Sequence, residues 1–222
     1  MYRRQFISDY IKTLLGVSFL PLSNIFNFID KKNITRINSK RLNQNLKKLQ
    51  FFGKNKDGGI DRLAFSDADR DARKYVISLM KDVGLDVSID TAANIVGRMD
   101  GKDSQLKTIM IGSHIDSVIG GGNYDGQVGS LGAIEVVKTI NENNIHLRHP
   151  IEVVIFSNEE GGKTGSRAMA NLVEDFELNI VTDSGHTIGE GLSLSGGNPN
   201  KLVDASRDRN SLAGYLELHI EQ

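Results

Sequence analysis

The stretch TIMIGSHIDSVIGGGNYDGQVGS, residues 108–130, joins a short apolar run to a glycine-rich loop and the start of a helix. The run TIMIGS predicts a buried strand, and the pattern over residues 128–140 predicts the helix. A second apolar run, IEVVIFS at residues 151–157, follows that helix. Two apolar strands joined by a helical crossover are typical of a parallel βαβ unit. The sequence therefore predicts an α/β fold with a mostly parallel central sheet flanked by helices.

Imidazole and carboxylate side chains follow both predicted strands directly. His114 comes after the first strand, and Glu159 and Glu160 come after the second. Ligands of open α/β sheets gather beyond the carboxyl ends of the strands. We therefore expect these three side chains to lie at one edge of the sheet, together with Asp125 at the start of the intervening helix.

The glycine-rich loop is better suited to a cation than to a phosphate group. Phosphate loops direct backbone N–H groups and a helix N-terminus at an anion. Asp116 and Asp125 bring negative charge into this loop, which would repel phosphate. The glycines at positions 120, 121, 122 and 126 also fail to give the G-x-G-x-x-G spacing of dinucleotide-binding loops.

Each acidic or imidazole residue has a simpler role when it is considered alone. Asp125 is most simply a helix N-cap, His114 a buried and hydrogen-bonded imidazole, and two adjacent glutamates are usually surface charge. The terminal stretch YLELHIEQ predicts a strand that presents His219 between carboxylates on one face. The convergence of all these residues on one edge favours a metal site over separate structural roles.

Composition limits the chemistry of such a site. The chain has 222 residues with 27 basic and 28 acidic side chains, so no overall field directs it to nucleic acid or to an anionic membrane. It has no cysteine, which excludes disulfides and thiolate metal ligands. Nitrogen and oxygen ligands suit Zn²⁺, Mn²⁺, Co²⁺ or Ni²⁺. A carboxylate shared by two such ions would give a two-metal site that activates water, with Asp116 orienting the imidazole of His114.

The N-terminal segment differs from the rest of the chain. Arg3, Arg4 and Phe6 in MYRRQFIS resemble a twin-arginine export leader, whereas the interrupted apolar run that follows is equally typical of an amphipathic first helix. Both interpretations stay open. The protein is accordingly either cytoplasmic or, if the segment is a twin-arginine signal, exported. We predict such a segment at residues 1–32 and a catalytic domain at residues 33–222. No other segment approaches the ~20 apolar residues of a membrane span.

Local signals delimit the elements before the βαβ unit. Ser39 is expected to cap a packing helix that Gly53 ends. Ser66 and Asp69 predict a capping box for a second helix, and Gly84 predicts its left-handed end. Between these helices, residues 54–62 are rich in Gly, Asp and Lys and predict a mobile loop.

Four motifs in this order resemble a known family: GSHIDSV, GGNYDGQVGSLGAIEV, FSNEEGGKTGSRAM and YLELHIEQ. They are similar to the amidase/carbamoylase branch of the M20 metallopeptidase clan, which includes N-carbamoyl-L-amino-acid hydrolases, allantoate amidohydrolases and yeast-type β-ureidopropionases. The likeness extends from about Asn33 to the last residue. It implies two divalent ions and these metal ligands: His114, Asp125, Glu160 and His219.

The resemblance also implies a role for each residue. Asp125 would bridge both ions, and His114 and His219 would complete the first ion's ligand set. Glu159 would be the general base, and Gln222 resembles a residue that contacts substrate. Family members are much longer and form homodimers; the resemblance ends before their inserted dimerisation or lid domain and the late histidine of the second metal site, which leaves a one-metal protein as an alternative.

The function implied is metal-dependent hydrolysis of a linear C–N bond in a small carbamoyl or ureido compound, such as an N-carbamoyl amino acid or allantoate. A dipeptidase or aminoacylase of the same fold is one alternative. A truncated, inactive metal-binding remnant is the other.

Overall fold

The computed structural model describes residues 35–220 of the chain. The predicted leader or first helix at residues 1–32 therefore lies outside the described residues, and so does Gln222. No helix within residues 35–220 is both long enough and apolar enough to cross a membrane.

The described part contains five helices and five strands, joined by loops and short 3-10 turns. The helices are α1 (Ser39–Leu49), α2 (Asp67–Asp82), α3 (Gln127–Glu142), α4 (Thr164–Met169) and α5 (Ile188–Leu194). The strands are β1 (Asp86–Ile89), β2 (Ile95–Met99), β3 (Thr108–His114), β4 (Ile151–Phe156) and β5 (Leu212–Leu216).

The strands form one mixed sheet in the order β1-β2-β4-β3-β5. β3 is parallel to both β4 and β5, whereas β2 is antiparallel to both β1 and β4. The predicted α/β class and the parallel βαβ unit β3-α3-β4 are confirmed. The register pairs His114 with Phe156, so the residues after β3 and those after β4 emerge at the same edge of the sheet.

The two faces of the sheet bury different clusters. Alternate residues of β4 face opposite sides, as the strand period requires. Ile151, Val153 and Ile155 belong to the main core together with residues of α1, α2 and α3. Val154 and Phe156 face the other side, where Met169 of α4 packs against them. Both faces of β4 are therefore covered, which explains why its sequence is apolar except at Glu152, whose carboxylate pairs with Arg98 and Arg207.

The helix boundaries largely follow the predicted signals. Ser66 is the N-cap of α2 and accepts a hydrogen bond from the N–H of Asp69, while the Asp69 carboxylate accepts one from the N–H of Phe65. In a regular capping box the Asp69 carboxylate would accept from the N–H of Ser66, the N-cap itself; here it accepts from the N–H of the residue before. α1 is capped by Asn38, one residue before the predicted Ser39. Gly84 has the predicted left-handed conformation after α2, with φ +84°.

Two predictions about local structure are wrong in part. Residues 54–62 are not a mobile loop throughout, because Ile60 is buried and exchanges two backbone hydrogen bonds with Gly121, and Arg62 is fully buried. The average composition of this segment concealed those two residues. The terminal strand is also shorter than predicted: β5 ends at Leu216, and residues 217–220 continue without strand pairing.

Candidate metal centre

His114 is the buried centre of the site. It ends β3, and its Nδ1 lies 3.1 Å from the backbone oxygen of Asp116 and 3.4 Å from Oδ1 of the same residue. Two oxygen acceptors at these distances favour a proton on Nδ1, which leaves Nε2 as the free nitrogen. Burial disfavours the charged ring, but the hydrogen bond and charge of Asp116 and the charges of Glu159 and Glu160 together raise the pKa of His114 to about 9.

Asp125 precedes α3 but does not cap it. The N-cap is Gly126, with φ +68°, and no side chain of the described residues caps this helix. The simpler role considered for Asp125 is therefore absent. Its Oδ1 is buried, makes no hydrogen bond within residues 35–220, and lies 3.3 Å from Nε2 of His219.

Gly126 and Gly129 allow the close approaches on which the site depends. A Cβ atom on Gly126 would lie 2.3 Å from Nε2 of His114. A Cβ atom on Gly129, in the first turn of α3, would lie 2.2 Å from the backbone oxygen of Leu218. The first glycine makes room for the imidazole, and the second lets residues 217–220 pass close to the helix.

His219 reaches the site from this terminal segment. Its ring stacks on that of His114, with centroids 5.6 Å apart, and the two Nε2 atoms are separated by 3.4 Å. One ligand atom each from His114, Asp125 and His219 lies within 4.8 Å of the other two.

Glu159 and Glu160 complete the second half of the site after β4. Oε2 of Glu159 is 3.9 Å from Nε2 of His114, and these two residues with Glu160 form another group of ligand atoms within 4.8 Å. The N–H of Glu160 donates to Oδ2 of Asp116 at 3.0 Å. Burial, and the neighbouring carboxylate of Asp125, raise the pKa of Glu160 to about 7.

The donors present fit a divalent cation. Two imidazole nitrogens and several carboxylate oxygens meet in one place, and like charges so close together need a positive charge or shared protons. Oδ1 of Asp125 is buried without a hydrogen bond inside the described range. Mixed nitrogen and oxygen ligands are the set that zinc and its first-row neighbours accept.

Two cavities open beside the glutamates. One of about 270 Å³ adjoins Glu160 and Ser117, and one of about 470 Å³ adjoins Glu159 and has an apolar floor that includes Phe156. Both are of the order of small-molecule clefts.

A family model described as Peptidase family M28 matches residues 94–210, which is more than half of the chain. The chain belongs to this family. The N-carbamoyl-L-amino acid amidohydrolase of Geobacillus stearothermophilus is 40% identical over 191 residues, covering 84% of this chain and 47% of the relative. A ureidoglycolate hydrolase of Arabidopsis thaliana is 31% identical, covering 96% of this chain and 48% of its own length.

Solved structures agree with these relatives. A hydantoinase/carbamoylase family amidase from Burkholderia ambifaria is 32% identical with a TM-score of 0.77, covering 85% of this chain and 47% of that one. The amidase/carbamoylase branch expected from the sequence is confirmed, although the matching family model is named M28 rather than M20. This chain spans about half the length of the curated relatives it matches.

The structure brings together all the predicted site residues that it describes, and it adds others. Glu217 accepts a hydrogen bond from Oγ of Ser113 at 2.5 Å, beside the cavity that adjoins Glu159. The alternation in YLELHIEQ places Glu217 on the same strand face as His219, so the sequence pattern already indicated that Glu217 would lie near the site. Arg62, which contacts the backbone between His114 and Asp116, belongs to the stretch DRLAFSDADRDAR of the family resemblance, but the polar, glycine-containing residues before it gave no local pattern of burial.

Proposed function

We propose that this chain carries the metal centre of a hydrolase acting on a linear C–N bond of a small carbamoyl or ureido compound. The observation that carries the proposal is the convergence of Nε2 of His114, Nε2 of His219 and a carboxylate oxygen of Asp125. The printed names of the relatives, which are amidohydrolases of N-carbamoyl amino acids and hydrolases of ureidoglycolate, support the substrate class.

The proposed ligand sets follow the two groups of side chains. His114, Asp125 and His219 would hold a first ion, and Asp125 with Glu160 would hold a second. When bound, a divalent cation here would polarise a carbonyl group and lower the pKa of water. Whether one or two ions bind, and whether they are Zn²⁺, Mn²⁺, Co²⁺ or Ni²⁺, is measured by elemental analysis of the purified protein.

Side chains of this chain would transfer the proton of the reaction and orient the imidazole of His114. Glu159 is the proposed general base, because its carboxylate is partly exposed and borders the larger cavity. It would accept a proton from water and pass it to the departing amine. Asp116 would hold Nδ1 of His114 so that Nε2 faces the ion. Gln222 stays a proposed substrate contact outside the described residues.

Turnover on a matched set of substrates tests the proposal. The purified 222-residue chain, loaded with each metal in turn, is assayed on N-carbamoyl amino acids, allantoate, ureidoglycolate and dipeptides. We expect ammonia release from at least one ureido compound, and release about 10²- to 10⁴-fold slower from the Glu159→Gln variant. Hydrolysis of dipeptides alone would establish the peptidase alternative instead.

Metal binding without turnover is the second candidate function, because the clustered ligand atoms of His114, Asp125 and His219 suffice to hold an ion whether or not hydrolysis follows. Stoichiometric metal with no hydrolysis of any substrate in the set would establish it. The homodimer implied by the family resemblance is checked in the same preparation by light scattering.

A further inference from the structure

Arg62 is a fully buried cation whose backbone runs beside the loop that follows β3. Its N–H donates to Oγ of Ser117 at 3.0 Å, and its backbone oxygen accepts from the N–H of Ser117 at 2.9 Å. Two residues earlier, Ile60 is paired with Gly121 by backbone hydrogen bonds of 3.0 and 2.9 Å. The segment that carries Arg62 is thereby fixed to the loop on which His114 depends.

The side chain of Arg62 connects that loop to the end of α1. Nε donates to the backbone oxygen of Ile115 at 2.5 Å. Nη1 donates to the backbone oxygens of Leu49 and Phe52 at 3.0 and 2.8 Å. Because a guanidinium group is a planar fork with several donors, one side chain can hold carbonyl groups from both segments at once.

The peptide held by Arg62 lies between two residues of the proposed site. Ile115 separates His114 from Asp116, and its backbone oxygen also lies 3.4 Å from Nε2 of Gln127. Oγ of Ser130 donates to the preceding backbone oxygen, that of His114, at 2.7 Å. The direction of this short segment decides where the oxygens of Asp116 meet the imidazole, and therefore where Nε2 of His114 points.

A purely structural role explains only part of these contacts. The Nη1 bonds satisfy carbonyl groups at the C-terminal end of α1, where a cation is favoured. They do not explain the bond from Nε to Ile115, which serves the β3 loop. Burying a guanidinium costs several kcal/mol. The charges of Asp69 and Asp116 offset part of this cost, but neither forms a salt bridge with Arg62, and Nη2 makes no hydrogen bond within residues 35–220. This arrangement is therefore a costly way to cap one helix.

We propose that Arg62 is a positioning residue of the metal centre, which fixes the Ile115 peptide and through Asp116 aims Nε2 of His114 at His219. This inference rests on the proposed function, because it presupposes that the site holds a divalent ion. It predicts that loss of the Arg62 side chain weakens metal binding even though Arg62 itself touches no ligand atom of the ion.

Arg73 provides a matched control. It is equally buried, and its guanidinium also lies near Asp69 and Asp116, but it donates to the backbone oxygen of Ala93 and makes no hydrogen bond to the β3 loop. Arg62→Met and Arg73→Met each remove one buried positive charge. Only the first removes a hydrogen bond to the peptide between the site residues.

The experiment is a Co²⁺ titration of the 222-residue chain and both variants, followed by the visible absorption of the bound ion, with folding verified by circular dichroism. We expect Arg62→Met to bind Co²⁺ about 10- to 100-fold more weakly, the usual effect of removing a residue that orients a metal ligand. Its absorption spectrum should change as well. Arg73→Met should keep the affinity and the spectrum of the wild type.

The outcomes separate this inference from the proposed function. A wild-type chain that binds Co²⁺, together with a folded Arg62→Met variant of unchanged affinity and spectrum, would overturn the inference alone. An equal loss of Co²⁺ affinity in Arg73→Met would overturn it too, since the loss of a buried positive charge would then explain the effect without the hydrogen bond to Ile115. A wild-type chain that binds no Co²⁺ would overturn both. If Arg62→Met does not fold, Arg62→Lys replaces it, because lysine keeps the charge and loses the planar fork of donors; unchanged affinity there counts against the inference.

Discussion

Gly126→Ala is the substitution that most directly tests the geometry of the site. The new Cβ would lie 2.3 Å from Nε2 of His114, whereas unstrained non-bonded contacts are about 3.5–4 Å. The imidazole would therefore have to move by roughly 1 Å or more. The backbone at this position has φ +68° and ψ −42°, which costs about 1–3 kcal/mol for a residue with a side chain. Overpacking adds about 1–3 kcal/mol.

Two measurements follow from these figures. Urea denaturation should show a loss of about 2–6 kcal/mol in the free energy of unfolding. Co²⁺ affinity should fall at least about tenfold, because Nε2 of His114 no longer faces His219. Gly122→Ala is the control from the same loop, since its Cβ would meet nothing within 4 Å. Unchanged Co²⁺ affinity in Gly126→Ala, or an equal loss in Gly122→Ala, would refute the reasoning.

Three further outcomes are expected. Gly129→Ala should weaken Co²⁺ binding by displacing the segment after β5, whereas Gly132→Ala, with only a 3.9 Å contact, should keep the affinity and stabilise α3 by about 0.5–1 kcal/mol in thermal melts. Glu159→Gln should lower any turnover by about 10²- to 10⁴-fold in a rate assay while calorimetry shows metal still bound. Arg41→Met should remove the ion pairs to Glu135 and Glu142 and lower the free energy of unfolding by about 1–3 kcal/mol, with unchanged Co²⁺ affinity.

The parallel part of the fold was predictable because its signals are local and consistent. TIMIGS and IEVVIFS are mainly apolar, and a helical pattern lies between them, so a crossover that buries both strands satisfies all three segments. This topology also accounts for the predicted meeting of His114 with Glu159 and Glu160. The carboxyl ends of adjacent parallel strands necessarily share one edge of the sheet.

The remaining features depend on contacts that leave little trace in the sequence. Alternation in YLELHIEQ predicts a strand but does not say how far a neighbouring strand accompanies it, and β5 ends at Leu216. Arg62 stands in a segment whose average composition indicates a solvated loop, although its side chain is fully buried. Burial of an arginine is decided by carbonyl groups from distant segments, which no local pattern records.

The site has a buried, fixed half and a more exposed half. Metal binding should therefore be coupled to the ordering of the exposed half. The side chains of His114 and Asp116 are almost fully buried and joined by short contacts, while those of Glu159 and His219 remain 26% and 39% exposed. Residues 217–220 have no strand partner, so ordering them costs conformational entropy that the buried residues have already lost on folding. The conformational entropy lost when His219 is ordered would therefore reduce the observed free energy of metal binding. It follows that substitutions in the β3 loop should alter both the geometry and the affinity of the site, whereas substitutions after β5 that spare His219 should act mainly on affinity.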